Sequence, residues 1–373
     1  MLSSPTWRAL ILSLALALSG GVLVACGDDD DGGGGSSGGG GDGGGSIALL
    51  LPESKTARYE SQDRPNFERK VTELCPDCEI IYSNADQDPA KQQQQAEAAI
   101  TRGAEVLVLD PVDAASAGSI VTRAKQSDIP VVSYDRLITD ADIDYYVSFD
   151  NERVGQLQGE SLVKKLEADG SGDGTIVMIN GAPTDNNAKL FKQGAHSVID
   201  ESNLKVGKEY DTPDWSPDKA QQEMEQATTA LGKDGYVGVY AANDGTAGGA
   251  IAAMKSAGIK PSARPTTGQD AELAAIQRIL AGEQYMTVYK AIKAEAEAAA
   301  ELAVALARGE DPPSGLVEDE TDNGQKQVPS VLLTPVAVTK DNIQDTIVKD
   351  KFWTPREICT SAYAAACKEA GVQ

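Results

Sequence analysis

Histidine and cationic residues are scarce in this sequence of 373 residues. A single histidine cannot form the sites of two or three histidine ligands that many zinc hydrolases use. Lysine and arginine total 33 against 57 aspartate and glutamate residues, which gives a formal net charge of −24. A nucleic-acid-binding surface needs a basic face to neutralise phosphates. We therefore expect no nucleic acid partner.

The motifs of common α/β enzymes are also missing. The sequence has no phosphate-binding G-x-x-x-x-G-K-[ST] loop, and no nucleophile elbow follows an apolar run. His196 lies in a helical segment without a nucleophile pattern, so we expect a structural or surface side chain there. These absences argue against an enzyme and favour a binding protein with no cofactor and no metal.

The amino terminus has the pattern of an export signal. Residues 1–26 contain Arg8, an apolar stretch and then small residues, as in a secretory signal peptide. The last four residues, LVAC, look like a bacterial lipobox, which predicts that Cys26 is lipidated. Residues 27–46 contain only Gly, Asp and Ser and should form a flexible tether. We expect an extracytoplasmic protein that is lipid-anchored to the outer face of the cell membrane.

The rest of the chain alternates short apolar runs with segments of helical period. The runs are 47–52, 79–85, 105–111, 129–135, 145–150, 175–181, 205–210, 236–244, 265–270 and 285–290. This alternation predicts an α/β fold with parallel sheets covered by helices on both faces. Ten runs are more than one sheet would comfortably hold.

Polar side chains follow these runs, where α/β sheets bind ligands. The candidates are Arg58, Tyr59, Asp135, Arg136, Asp185, Asn187, Trp215, Asn243, Asp270 and Lys290. Carboxylates, amides and guanidinium groups can exchange paired hydrogen bonds with adjacent hydroxyls, and an aromatic ring can stack on the C–H face of a sugar. The alternative for single Asp and Asn residues is helix capping, and for Trp215 it is a surface-loop anchor.

Several long segments resemble one family. They are YDRLITDADIDYYVSFDNERVGQLQG (134–159), APTDNNAKLF (182–191), NDGTAGGAI (243–251), GQDAEL (268–273), MTVYKAI (286–292) and VPSVLLTPVAVTKDNI (328–343). Together they resemble the D-xylose-binding proteins and their aldose-binding relatives, the periplasmic-type substrate-binding proteins of sugar ABC transporters. The first loop, residues 51–65, is similar to the branch that also binds glucose, galactose and arabinose.

The resemblance implies a periplasmic binding protein type I fold, with two Rossmann-like lobes joined by three hinge strands. The first lobe would comprise 47–152 and 288–325, and the second 153–287 and 326–350. Residues 351–373 form a cysteine-containing tail beyond the resemblance. The hinge crossings would fall near 150–154, 286–290 and 322–329.

The resemblance also implies a function. The protein would capture a monosaccharide, D-xylose in the first place, as a monomer and deliver it to an ABC permease. The alternative is a receptor for glucose, galactose and arabinose that presents its sugar to a membrane sensor, either in addition to transport or instead of it. The motifs carry over each candidate residue except Trp215, whose loop differs from the family pattern. Tyr59 stands where xylose binders usually have tryptophan, so we expect it to stack on the sugar with a smaller face.

Four cysteines remain besides Cys26, and an exported protein can form disulfides. Cys75, Cys78, Cys359 and Cys367 allow three connectivities, of which the one with two local bonds is favoured by proximity in sequence. On one continuous helix Cys359 and Cys367 would lie about 12 Å apart, beyond disulfide reach, so their bridge requires a break near Thr360. A metal or redox function for Cys75 and Cys78 lacks a second ligand pair.

Two other classes of protein share a doubly wound body. The first class is enzymes, and the missing phosphate-binding loop and nucleophile elbow argue against it. The other is a transcriptional repressor of the lactose type, against which the export signal and the lack of a helix-turn-helix segment before Ile47 argue.

Overall fold

The computed structural model describes residues 45–373. The predicted signal peptide, Cys26 and most of the predicted tether lie outside the described residues. No helix within the described part of the chain is long and apolar enough to span a membrane.

Strands and helices alternate along most of the chain, as the apolar runs predict. The strands are β1 Ser46–Leu51, β2 Glu79–Asn84, β3 Val106–Leu109, β4 Val131–Tyr134, β5 Tyr145–Phe149, β6 Thr175–Asn180, β7 Lys205–Asp211, β8 Gly238–Ala241, β9 Met286–Tyr289, β10 Asp319–Asp322, β11 Gln327–Leu333 and β12 Val336–Thr339. The helices are α1 Arg64–Leu74, α2 Pro89–Thr101, α3 Gly118–Lys125, α4 Asn151–Ala168, α5 Asn186–Ile199, α6 Pro217–Leu231, α7 Asp244–Ser256, α8 Leu273–Leu280, α9 Ile292–Ala307, α10 Pro355–Ile358 and α11 Ala364–Ala370.

The first sheet has the strand order β10-β11-β5-β4-β3-β1-β2 and is parallel except for β10. Its central strands are continuous apolar runs because helices cover both faces. Phe67 and Val71 of α1 and the alanine-rich side of α9 pack on one face. Ile120 and Val121 of α3, with residues of α2, pack on the other.

The remaining strands form a three-stranded parallel sheet, β7-β6-β8, and a separate antiparallel pair, β9-β12. Isolated bridges at Thr266 and Gln269 connect the two, and we call them together the second sheet. Helices α4 and α5 cover one face through Leu162 and Phe191, and α6 and α7 cover the other through Met224 and Met254. The predicted strand 265–270 forms only isolated bridges, at Thr266 and Gln269.

Three segments connect the two sheets. Strand β5 continues through Asp150 into α4, β9 through residues 290–291 into α9, and β11 through residues 334–335 into β12. The third crossing, predicted at 322–329, is wrong, because that segment forms the hairpin of β10 and β11.

The predicted lobe boundaries need a matching correction. Residues 327–333, predicted in the second lobe, pair with β5 in the first sheet. Residues 288–289, predicted in the first lobe, pair with β12. An alternating strand fits either sheet equally well, so its local pattern does not say which sheet it joins.

Both local disulfide bonds are present. Cys75 and Cys78 join the end of α1 to the start of β2, and Cys359 is bonded to Cys367. The chain leaves the helical path between α10 and α11, which is the break that this bond requires.

Candidate functional site

A small polar cavity lies between the two sheets, at the carboxyl ends of their strands. All ten predicted residues line it. They are joined by three others in this list of the lining: Thr56, Arg58, Tyr59, Asp135, Arg136, Asp185, Asn187, Phe191, Trp215, Asn243, Gln269, Asp270 and Lys290. Parallel strands place their carboxyl ends at one edge of each sheet, so residues far apart in sequence meet here.

Arg58 is the centre of a buried ion network. Its Nε and Nη2 atoms donate to both oxygens of Asp63, at 2.9 and 2.6 Å, and Nη2 also donates to Glu295 Oε2 at 2.5 Å. Its Nη1 donates to Asp135 Oδ1 at 3.1 Å. Burial alone would lower the pKa of Arg58, but Asp135, Asp63 and Glu295 together raise it well above its usual value. The guanidinium therefore stays charged and fixed in direction.

Asp135 stays ionised although it is buried. Burial alone would raise its pKa, but Arg58, Lys290 and Arg136 lower it to about 2. Tyr59 also donates its hydroxyl to Asp135 Oδ2 at 2.9 Å. The backbone of Asp135 is left-handed, with φ 53°, a conformation that Asp tolerates better than most residues.

The two lobes meet around Asp135 and Arg136. Asn187 of the second lobe donates its side-chain amide to the backbone oxygen of Asp135 at 2.8 Å. Arg136 Nε lies 3.0 Å from Asp185 Oδ2, also across the cleft. The site is therefore assembled only when the lobes are close together.

Asp185 caps helix α5 and also faces the cavity. Its Oδ1 accepts from the backbone N–H of Asn187 at 2.8 Å, and its Oδ2 accepts from Trp215 Nε1 at 3.0 Å. Burial raises the pKa of Asp185, and Arg136 opposes that shift. Asn243 likewise caps α7 through Thr246 while it lines the cavity. Asp185 and Asn243 therefore each cap a helix and also line the cavity.

Trp215 and Phe191 form the apolar wall. Trp215 is buried, and its ring meets that of Phe191 edge to face at 6.3 Å. A Cβ at Gly181 would lie 2.0 Å from the Trp215 ring, so the ring packs directly on that backbone. Trp215 also lies directly before α6 with its side chain buried, so it anchors this loop as well as lining the cavity.

Tyr59 lies at the cavity, but its ring has charged neighbours. The guanidinium carbons of Arg58 and Arg136 lie 5.4 and 5.6 Å from its centroid. Cation–π contacts of this kind occupy a ring face. Stacking of Tyr59 on the sugar stays a prediction, and the aromatic pair of Trp215 and Phe191 offers another apolar surface.

Asp270 and Lys290 complete the wall from the second lobe and the hinge. Lys290 Nζ lies 2.9 Å from Asp270 Oδ1, and Arg58 Nη1 lies 3.8 Å from the same oxygen. Gln269 Oε1 is also buried, and within the described part of the chain it has no hydrogen-bond partner. Buried polar atoms without partners are rare in folded proteins, so this amide oxygen is suited to bind a polar ligand.

Several contributing residues carry too little sequence signal to be predicted. Phe191 lies one helical turn after Asn187 on α5, a spacing that places both on one face and could have revealed it. Gln269 has the same signal as Asp270, because it is a polar residue at the end of the run 265–270. Glu295 lies inside helix α9. Asp110 is fully buried at the end of β3, and its Oδ1 lies 3.6 Å from Arg136 Nε. His196 pairs with Asp200 and Glu209 away from the cavity.

Comparison with known proteins identifies the family to which this architecture belongs. The family model described as "Periplasmic binding protein domain" matches residues 47–311. The chain belongs to this periplasmic binding protein family.

Relatives and solved structures agree with that assignment. The D-xylose-binding periplasmic protein of Escherichia coli (strain K12) is 40% identical over 316 residues, covering 84% of this chain and 92% of that protein. The multiple sugar-binding periplasmic receptor ChvE of Rhizobium radiobacter is 33% identical, covering 83% and 90%. An ABC transporter solute-binding protein from Clostridium phytofermentans with bound β-D-glucose has a TM-score of 0.76 at 29% identity, covering 84% and 99%. The resemblance seen in the motifs is confirmed.

Two further carboxyl groups lie behind the cavity of this periplasmic binding protein. Asp244 accepts from Gln284 Nε2 at 2.7 Å, from Thr287 Oγ1 at 2.9 Å and from the backbone of Glu272 at 3.0 Å. Burial raises the pKa of Asp244 to about 7. Burial and then the charges of Asp244 and Asp270 raise the pKa of Glu272 to about 8.

We expect the melting temperature of the unliganded protein to fall as the pH rises from about 5 to about 9. A carboxyl group whose pKa is raised by folding stabilises the folded state fully below its unfolded pKa of about 4, and loses that effect as the pH rises through the folded value. Glu272→Gln removes one of the carboxyl groups whose pKa is raised by folding and should make the curve flatter. Scanning fluorimetry at fixed ionic strength measures the melting temperature of both proteins as a function of pH. Equal slopes for the two proteins would contradict the raised pKa of Glu272.

Proposed function

We propose that this protein captures a neutral aldose, D-xylose in the first place, in the interlobe cavity and delivers it to an ABC importer without catalysing a reaction. The observation that carries the proposal is the cavity wall. It combines carboxylates, amides and guanidinium groups from both lobes with an aromatic pair. Such groups suit a molecule with several adjacent hydroxyls and an apolar C–H face.

The charges that line the cavity support a neutral ligand. Three cations and three carboxylates line it: Arg58, Arg136, Lys290, Asp135, Asp185 and Asp270. Because these charges pair with one another, an ionic ligand would leave one buried charge uncompensated, which is costly. A sugar can instead exchange hydrogen bonds with both signs of charge, since each hydroxyl is a donor and an acceptor.

The relatives support both the sugar and its transport. The E. coli relative is named for D-xylose and the C. phytofermentans protein for an ABC transporter. The relative from R. radiobacter is named as a multiple sugar-binding receptor, which favours a second candidate function. In that case, the same cavity would accept several aldoses and the closed protein would also contact a membrane sensor.

A lipid on Cys26 would hold the proposed monomer near the permease. The lipobox and the Gly, Asp and Ser tether support this anchor. Cell fractionation tests it: the protein should sediment with membranes until detergent is added, and a freely soluble mature protein would contradict it.

A thermal-shift screen tests the ligand. We expect D-xylose to raise the melting temperature, because a ligand that binds only the folded state at a hundredfold excess over Kd adds about 2.7 kcal/mol. Glucose, galactose, arabinose and ribose distinguish a narrow from a broad specificity, and glucuronate is the charged control. A protein that responds to glucuronate but to no neutral sugar would overturn the proposal. So would a protein that responds to no monosaccharide at all.

A further inference from the structure

The carboxy-terminal tail, residues 351–373, packs against the lobe that carries Asp270. Its buried side chains join a cluster with helix α8 and strand β9. The tail members of this cluster are Phe352, Ile358, Cys367 and Val372, and their partners include Ile276, Ile279 and Tyr289. The tail is therefore a folded part of the second lobe.

One hydrogen bond connects the tail to the residue next to Asp270. Trp353 donates its indole N–H to the backbone oxygen of Ala271 at 2.8 Å. The Trp353 ring also meets that of Phe352 edge to face at 5.5 Å, which fixes the direction of the donor. The tail thus contacts the binding loop through a defined polar bond as well as through apolar packing.

The loop at Asp270 needs such support. Asp270 and Ala271 are consecutive left-handed residues, with φ of 90° and 50°, and this conformation is costly for residues other than glycine. Backbone bonds hold the loop from within the lobe: Asp270 N–H donates to Val288 O at 2.9 Å and Glu272 N–H to Asp244 Oδ2 at 3.0 Å. The Ala271 carbonyl lies between these two amides and accepts its hydrogen bond from Trp353.

The tail also reaches the first lobe. Gln62 Nε2 of the loop that carries Arg58 donates to Phe352 O at 3.5 Å. Ala57 and Leu273 face Trp353 across the same groove, which Arg58 and Asp270 also line. The tail therefore lies beside the two charged groups that meet at the cavity wall.

We propose that Trp353 is a positioning residue for Asp270, so that the tail is part of the sugar-binding machinery. The proposal rests on the function proposed above. By holding the Ala271 carbonyl, Trp353 keeps the Asp270 carboxylate in place toward Lys290 and the ligand. The group that contacts the sugar is Asp270, and Trp353 acts through it.

Trp353→Phe tests the proposal because it keeps an aromatic ring against Phe352 and removes the donor. We expect D-xylose, or the sugar that gives the largest thermal shift, to bind about three- to tenfold more weakly by calorimetry, as the loss of one hydrogen bond predicts. Val372→Ala is the matched control, since it removes buried tail packing but no bond to Ala271. It should lower the melting temperature and leave the affinity within about twofold.

Hydrogen exchange of the unliganded protein gives a second readout that needs no sugar. In Trp353→Phe the amides of residues 270–272 should exchange faster than in the wild type, and in Val372→Ala they should not. Unchanged exchange and affinity in Trp353→Phe would overturn the proposal, as would equal weakening by both variants. If the wild type binds no sugar, the function proposed above fails, and the exchange data alone decide whether Trp353 holds the loop.

Discussion

Asp270→Ala should weaken binding of the preferred sugar by about tenfold to a thousandfold. The variant removes a buried carboxylate that lines the cavity. A hydrogen bond to a charged group contributes about 1.5–3 kcal/mol, and about 1.4 kcal/mol corresponds to tenfold in affinity. Removal also leaves the Lys290 ammonium, 2.9 Å away, without its nearest carboxylate, which adds to the loss.

Calorimetry with the sugar that gives the largest thermal shift measures this effect. Asp200→Ala is the matched control, because it removes a carboxylate of the same lobe that is 64% exposed and lies outside the cavity. Its affinity should equal that of the wild type. Asp270→Asn, which keeps one acceptor oxygen, should fall between the two. An unchanged affinity in Asp270→Ala would remove this residue from the site.

Gly155→Ala should lower the free energy of unfolding by about 1–3 kcal/mol, as overpacking of a close contact does. Helices α4 and α5 touch through their backbones at this position. A Cβ at Gly155 would lie 2.0 Å from Phe191 O, and one at Gly194 would lie 2.0 Å from Glu152 O. The helices must move apart to admit a methyl group, because the obstacle is backbone and cannot rotate away.

The same variant should also weaken sugar binding. The carbonyl that the new methyl group would meet belongs to Phe191, whose ring lines the cavity, and α5 also carries Asn187. Denaturant unfolding and calorimetry measure the two effects. Gly118→Ala is the control, since its Cβ would meet only the Ala141 side chain at 3.6 Å, and it should stabilise the protein by about 0.4–1 kcal/mol. Equal stabilities for Gly155→Ala and the wild type would show that the helices do not pack this closely.

Much of the fold could be predicted because its signals are local. The ten runs predict β1 to β9 to within a few residues, and the central strands are clearest, since a strand covered on both faces must be apolar throughout. Residues 265–270 are an exception: they resemble a strand but form only bridges. Strand β11 shows another limit, because it is not among the ten predicted runs and its local sequence does not indicate that β5 is its neighbour.

The cavity lining could be predicted because polar residues at strand ends have a chemical signature. Asp185 and Asn243 were ambiguous between capping and the site, and the structure shows that they do both. The orientation of Tyr59 could not be predicted, because it depends on two guanidinium groups from different loops. Glu295 gave no signal, since a glutamate inside an amphipathic helix is normally solvent-exposed.

The sequence by itself determined the α/β class, the family, the groups available to a ligand and the break between Cys359 and Cys367. Each of these depends on residue type and on spacing over a few turns or strands. Only the tertiary structure decided which charges pair and which polar atoms stay without a partner. Arg58 and Glu295, which bond at 2.5 Å, lie 237 residues apart in the chain. Their pairing, and the pKa values that follow from it, depend on burial and distance, which no local pattern specifies.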